Sequence, residues 1–526
     1  MLDTIPAGGS DHRKGKKVLA IGVDAAEWTL VKKWADEGKL PTFKRMMDGG
    51  VSAVLSSTCA EFPDSIWSSA YSGANPATYE KYFYVGYDPA TGGLRHVKDT
   101  EFTDRPFWKI LSDAGRRVGV VDASKYGLTE GLNGFQIANW GTHATKSKRG
   151  SIPPELFEEA ETRFGPHGVG DIDMMDNTIP MYVKKRDDLV NGVKRHGMLH
   201  RWLIENQDWD VIYCQFAESH QVGHFYWHFY DEQHPLYRSD DPHGLSNAMF
   251  DVYRAIDDEV GKMIEAAGPD AVSMVFATHG MGPLYHATWY LPEMLDLLGF
   301  GQSPPRQVSS KRGSVNPWRV LKQLLPGRLQ YAIKGMLPQT MQDWLIFRWY
   351  MRSFDPSGKK AFAVPSNDAV ALIRIGVKGR DKGGVVEPED YRKVCEQVRA
   401  ALYELTDPVS GIRVVAHSEM IHEKFHGPYL DSKPDLSVVW DTSVPWNTIH
   451  SPRFGTLQLK NLDSRTGSHT SIGFFLATGP GIPEGVTLDH RSTYDICPTI
   501  LETAGVAVPG GLDGSAMPIV RTPALV

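Results

Sequence analysis

Cysteine is scarce in this chain. Cys59, Cys214, Cys395 and Cys497 are the only four in 526 residues, widely scattered, and no two form a C-x-x-C pair. That pattern excludes a disulfide-built scaffold and a thiolate zinc site. Long apolar runs are missing as well. None reaches the roughly 18–20 residues that span a bilayer, and the first strand-like run, VLAIGV, is too short for a signal or an anchor. The opening MLDTIPAGGSDHRKGKK is polar and Gly-rich, so residues 1–15 are expected to be a flexible tail and the protein soluble and cytoplasmic. Nor is positive charge in excess. A net charge of −7 argues against a general nucleic-acid binder, and no nucleic-acid groove is evident.

What the chain does have is a rhythm. Short apolar runs recur at VLAIGV (18–23), VGVVDA (118–123), VIYCQF (211–216), VSMVFA (272–277), LSVVW (436–440) and FFLAT (474–478). Most are continuous rather than alternating, as in strands buried on both faces of a mainly parallel sheet. Helical patterns lie between them, at 28–48, 104–115, 190–206, 249–267 and 389–404. The fold class is therefore α/β, with a mainly parallel central sheet and helices on both faces. Residues 16–300 and 361–526 are assigned to this core, with 124–190 as a loop-rich elaboration of it. Residues 301–360 are assigned to a basic helical insertion. Its 301–342 stretch carries seven Lys or Arg and no Asp or Glu, and five prolines divide it. It is expected to be a solvated insertion, or a lid drawing anions toward the site.

Chemistry-bearing residues follow the strands. Asp24 comes directly after VLAIGV, His220 and His224 stand four residues apart after VIYCQF, and Thr278 and His279 follow VSMVFA. Ligands bind beyond the carboxyl ends of parallel strands, and residues at i and i+4 share a helix face. Each residue alone has an ordinary structural explanation. Asp24 could cap a helix, an isolated H-x-x-x-H is often structural, and His279 before a glycine could shape a turn. Together they favour zinc or a similar ion, for which imidazole and carboxylate are suitable ligands. A fourth element, TGSHTSIGFFLATGPGIPEG, sets His469 ahead of another apolar run.

These segments, with LPTFKRMMDGGV, WSSAYSGANP, THGMGP and DICPTILETAGVAVP, resemble the alkaline phosphatase superfamily, in particular its type I phosphodiesterase/nucleotide pyrophosphatase-like branch. The resemblance covers roughly residues 16–90, 205–300 and 430–520, and rests on the order and spacing of the motifs. It implies one or two divalent ions, Zn2+ foremost with Mn2+ or Fe as alternatives, and hydrolysis of a small-molecule phosphate ester, a diester rather than a monoester. Carried over by position, His220, His224 and His469 would hold one ion. Asp24, Thr278 and His279 would hold the other.

The departures from the family pattern are specific. His220 and Thr278 stand where the family usually has Asp, and Pro63 stands at the nucleophile position. Ser65, two residues on, is the candidate catalytic nucleophile, with metal-bound water as the alternative. Asp64 or Glu61 could replace a lost carboxylate ligand. These departures also leave open a non-catalytic relative that binds an anionic ligand or a partner, and a phosphoryl-transfer or phosphomutase-like enzyme. A homo-oligomer is compatible with the sequence.

Overall fold

The computed structural model of the protein describes residues 15–97, 105–142, 148–167, 178–301, 341, 347–348, 354–367, 370–459 and 465–520. The N-terminal tail, apart from its last residue, and most of the basic insertion lie outside the described residues.

A ten-stranded sheet organises the chain. Its strands, numbered in chain order, are β1 Lys17–Val23, β2 Val51–Ser56, β3 Val118–Val121, β4 Gly134–Ala138, β5 Gly150–Ile152, β6 Val211–Phe216, β7 Ala271–Ala277, β8 Ile472–Thr478, β9 Val486–Thr487 and β10 Arg491–Ser492. They lie in the order β9-β2-β8-β7-β1-β6-β3-β4-β5, with β10 also pairing β2. The central block is parallel: β1 pairs β6 and β7, and β3 pairs β6 and β4, all in the same direction. β8 runs antiparallel between β7 and β2.

The unbroken apolar runs have a direct cause. Leu19, Ile21 and Val23 of β1 pack into one core with Ile212, Cys214 and Val275, while Val18 and Ala20 pack into a second with Val211, Tyr213 and Met274. Alternate residues of a strand face opposite sides, so burial on both sides requires apolar residues at every position. Helices Trp28–Asp36, Pro41–Asp48, Ile179–Asn206, Glu218–Tyr230 and Ala248–Ala267 cover the first core. Helices Ile66–Ser72, Phe107–Asp113 and Ile496–Thr503 cover the second. The four cysteines are buried and free. No helix among the described residues is long and apolar enough to cross a membrane.

Two sequence expectations change. The run 436–440 does not join the central sheet. Leu436–Trp440 pairs antiparallel within a separate four-stranded sheet with Ala361–Val364, Val370–Ile375 and Val415–Met420. It looks like a central strand because this small sheet is also covered on both faces: Leu436 and Val438 enter one minor core and Val439 packs on another. The elaboration is also less irregular than its polarity suggests. The helix predicted over 190–206 begins at Ile179, with Pro180 in its first turn, where a missing N–H costs nothing.

Candidate active site

The parallel register brings strand ends together. Val23 of β1 pairs with Phe216 of β6, and Gly22 with Phe276 of β7, so Asp24, Glu218, Thr278 and His279 emerge along one edge. The Asp24 N–H still donates to the Phe216 carbonyl at 2.9 Å, which fixes where the carboxylate starts. The chain then turns through Ala25 at φ 54°. For a non-glycine residue this left-handed conformation costs about 1–2 kcal/mol, and such strain is concentrated at functional sites.

Asp24 is 2% exposed and clamped from two sides. Trp67 Nε1 donates to its Oδ1 at 2.7 Å, and His220 Nδ1 lies 2.9 Å from its Oδ2. Gly22 makes room for this clamp, because a Cβ there would stand 2.6 Å from the Tyr213 hydroxyl and 3.0 Å from the Trp67 ring.

His220 and His224 lie one turn apart on the buried helix Glu218–Tyr230. Their Nε2 atoms are 2.7 Å apart, and His469 Nε2 is 3.0 Å from that of His220. The outer nitrogens are engaged elsewhere. His220 Nδ1 faces the Asp24 carboxylate, and His224 Nδ1 donates to the Gly467 carbonyl at 2.8 Å. The Gly467 carbonyl makes His224 Nδ1 the donor, leaving His224 Nε2 an acceptor turned toward His220 Nε2, where a proton or a metal ion can stand. Burial, then the neighbouring imidazoles, hold the His469 pKa well below its ordinary value. His469 is delivered by strand Gly467–Thr470, which pairs Gly280–Pro283, with His469 opposite Met281.

His279 follows β7, and its Nε2 lies 3.9 Å from Asp24 Oδ1. Its Nδ1 is 3.0 Å from Thr278 Oγ1. Asp24, Thr278 and His279 thus come together beside the histidine triplet. Among the described residues, however, three His, Cys, Asp or Glu ligand atoms lie within 4.8 Å of one another in only two groups: His220, His224 and His469, and His167, His196 and Glu218. Glu27 braces the site. Its carboxylate accepts from Thr29 N at 3.1 Å and Met281 N at 3.1 Å, tying the loop after β1 to the strand after His279.

The loop after β2 places the nucleophile candidates. Pro63–Ser65 forms a single 3-10 turn that opens the helix Ile66–Ser72, which ends at Gly73 with φ 67°. Ser65 is fully buried, and its hydroxyl donates to the Lys81 carbonyl at 3.4 Å, within this loop region rather than to a site histidine. Asp64 pairs with Lys125. Glu61, fully buried, pairs with Lys424; burial raises its pKa against that lysine, and its Oε2 has no hydrogen-bond partner among the described residues. Both carboxylates are therefore committed to lysines.

Beside His469 opens a cavity of about 160 Å³ whose lining mixes Tyr285, Val370, Val439 and Trp440 with the polar side chains His286, Thr442, Ser468 and Thr470. It lies between the strand bearing His469 and the small antiparallel sheet.

Sequence reasoning passed over several residues that the structure brings in. Lys125, after β3, is close enough to His469 to depress its pKa. Asp122, also after β3, accepts from His196 Nε2 at 2.8 Å, and His196 Nδ1 lies 2.9 Å from Glu218 Oε1. Burial alone would lower the His196 pKa, but Glu218 and Asp122 outweigh it and raise it to about 9. The strand-end rule that singled out Asp24 applies equally to Asp122 and Glu218, so that signal was present in the sequence.

A doubly wound sheet that gathers Asp24, His220, His279 and His469 at one edge defines an α/β protein with its candidate site beyond the carboxyl ends of the parallel strands. The chain belongs to the type I phosphodiesterase/nucleotide pyrophosphatase family, whose family model matches residues 18–457. This places it among enzymes that hydrolyse phosphoesters. It is similar to solved structures of murine ectonucleotide pyrophosphatase/phosphodiesterase 5 in complex with AMP (12% identity, 94% of this chain and 96% of that one, TM-score 0.45). The human protein of the same name matches at 12% identity over 96% of this chain and 97% of that one, with a TM-score of 0.44. Phosphonoacetate hydrolase from Sinorhizobium meliloti, in complex with phosphonoformate, matches at 17% identity over 94% and 96%, with a TM-score of 0.49. No curated protein matches the chain.

Proposed function

We propose that this enzyme is a divalent-metal-dependent hydrolase of phosphate diesters, with zinc the foremost ion and manganese or iron as alternatives. One observation carries the reading. Three imidazoles turn their Nε2 atoms toward one point, while a carboxylate and a backbone carbonyl hold the outer nitrogens of two of them. Metal-ligating histidines are oriented in this way, and the donor set fits a borderline-soft divalent ion. His220, His224 and His469 would hold the ion. When bound, it would supply positive charge to a phosphoryl oxygen and lower the pKa of water at neutral pH.

The protein's own residues do the rest. Asp24 fixes the His220 ring, and Thr278 and His279 line the adjacent side. Lys125 adds positive charge near His469. In the overall reaction water adds to phosphorus, one P–O ester bond breaks, and a proton passes to the departing alcohol. Water is favoured over Ser65 because Pro63 occupies the nucleophile position and the Ser65 hydroxyl is buried against Lys81. The cavity beside His469 supports a diester, which keeps an organic group on phosphorus. Its size is close to that of an apolar cavity of about 150 Å³ that accepts benzene, so an aryl or similarly small ester group fits.

The test is turnover of bis(4-nitrophenyl) phosphate against 4-nitrophenyl phosphate by zinc-loaded protein and by His220→Ala. The reading expects the diester to have the higher kcat/KM and the variant to lose activity toward both. No turnover of either, or an unaffected variant, overturns it.

A further inference from the structure

A second group of metal-type side chains lies on the same sheet edge, beyond Glu218. Glu218 opens the helix that carries His220 and His224, and its Oε1 lies 2.7 Å from His167 Nε2 and 2.9 Å from His196 Nδ1. The ligand atoms of the three residues fall within 4.8 Å of one another, and all three residues are buried. Atoms bound about 2.0–2.1 Å from a tetrahedral zinc ion lie about 3.3 Å apart, so a small outward shift would seat one.

The surroundings are built for such an ion. His196 Nε2 meets Asp122 Oδ2 at 2.8 Å, the carboxylate–histidine arrangement that orients a metal-bound imidazole. Asp122 is itself fixed by the backbone N–H groups of Trp140 at 2.8 Å and Gly141 at 2.7 Å. Gly141 is required there, because a Cβ would come within 2.5 Å of the His196 ring and 2.9 Å of His167. Charge points the same way. Asp122 and Glu218 are two fully buried carboxylates, and one divalent cation balances both.

We infer that His167, His196 and Glu218 form a second, structural site for a divalent ion of the zinc class, held by His196 Nδ1, His167 Nε2 and Glu218 Oε1. His196 comes from the helix Ile179–Asn206, and His167 from the segment after Glu155–Phe164. An ion there would pin both to the first turn of the helix that positions His220 and His224. Metal binding at such a site is folding free energy. The inference stands apart from the proposed activity, since none of these ligands belongs to the catalytic group.

The test uses full-length protein equilibrated with zinc and then dialysed, with zinc per chain counted by mass spectrometry. His167→Ala should lose one zinc per chain relative to wild type, with a lower melting temperature, while His224→Ala should retain that ion. Diffraction from wild-type crystals at the zinc edge decides independently of how His167→Ala folds. The inference expects an anomalous peak about 2.0–2.2 Å from the three ligand atoms. No peak there, or an unchanged zinc count in folded His167→Ala, overturns it. Failure of the proposed activity would instead show as zinc bound at both groups without diester turnover.

Discussion

Asp24→Asn separates two roles for this carboxylate, direct ligand or orienter of a ligand. Asp24 accepts from two buried donors, Trp67 Nε1 at 2.7 Å and His220 Nδ1 at 2.9 Å. Asparagine preserves the shape but offers one acceptor oxygen, so its NH2 turns toward one of those donors. A buried N–H left unpaired in this way costs about 1–3 kcal/mol, to be read in urea unfolding of the metal-free protein. The negative charge behind His220 also disappears. Losing the outer carboxylate of a ligating histidine weakens metal affinity about 10- to 100-fold, which is about 1.4–2.7 kcal/mol. Zinc affinity is measured by competition with a chromophoric chelator, and zinc content by mass spectrometry. An orienting Asp24 predicts weaker binding at an unchanged zinc count. An unchanged affinity would refute the reasoning, and loss of a whole zinc would show that Asp24 coordinates an ion directly.

Ser65→Ala should leave diester turnover within a few-fold of wild type and cost about 0.5–1.5 kcal/mol for one buried hydrogen bond; a loss of several orders of magnitude, or a trapped phosphoseryl adduct, would make Ser65 the nucleophile. Gly22→Ala drives a methyl group against Tyr213 and Trp67. It should lower stability by about 1–3 kcal/mol and weaken zinc binding through the displaced Trp67, whereas unchanged zinc affinity would show that the indole does not hold Asp24 in place. Asp435 is fully buried, and Arg380 donates to both its oxygens at 2.8 Å. Burial alone would raise its pKa, but Arg374 and Arg380 outweigh it and hold it below the usual carboxylate value. Its stabilisation is therefore present above the unfolded value of about 3.9 and lost as pH falls through the lower folded value. Asp435→Asn should cost about 3–5 kcal/mol at neutral pH by leaving Arg374 and Arg380 to share the single carboxylate of Asp381, and should flatten the acid limb of stability below about pH 4; an unaltered acid limb in urea midpoints would contradict this.

The central sheet was legible because each of its core strands is buried on both sides and so reads as an unbroken apolar run. The same signal misplaced Leu436–Trp440, since two small cores cover the two faces of that strand. Asp24, His220, His224 and His279 could be found because parallel strands end at one edge, a rule that needs only local sequence. His469 was found through motif resemblance, as its strand pairs with Gly280–Pro283 across a long stretch of chain. The Asp122–His196–Glu218–His167 group stayed hidden. His167 sits in a stretch whose polarity suggests loops, and its meeting with His196 depends on how the helix Ile179–Asn206 packs. The commitment of Asp64 to Lys125 and of Glu61 to Lys424 is likewise tertiary. Nothing in the spacing of EFPDS foretells it.

The central claim is that an ion held by His220, His224 and His469 drives phosphodiester hydrolysis. It is tested most directly by stripping the protein of metal, returning zinc in steps, and recording bound zinc and the rate of bis(4-nitrophenyl) phosphate hydrolysis together, for wild type and His224→Ala. The account predicts an inactive metal-free protein whose rate returns in proportion to the zinc that wild type binds and His224→Ala does not. Full activity in the metal-free protein, or in His224→Ala lacking that zinc, would contradict it.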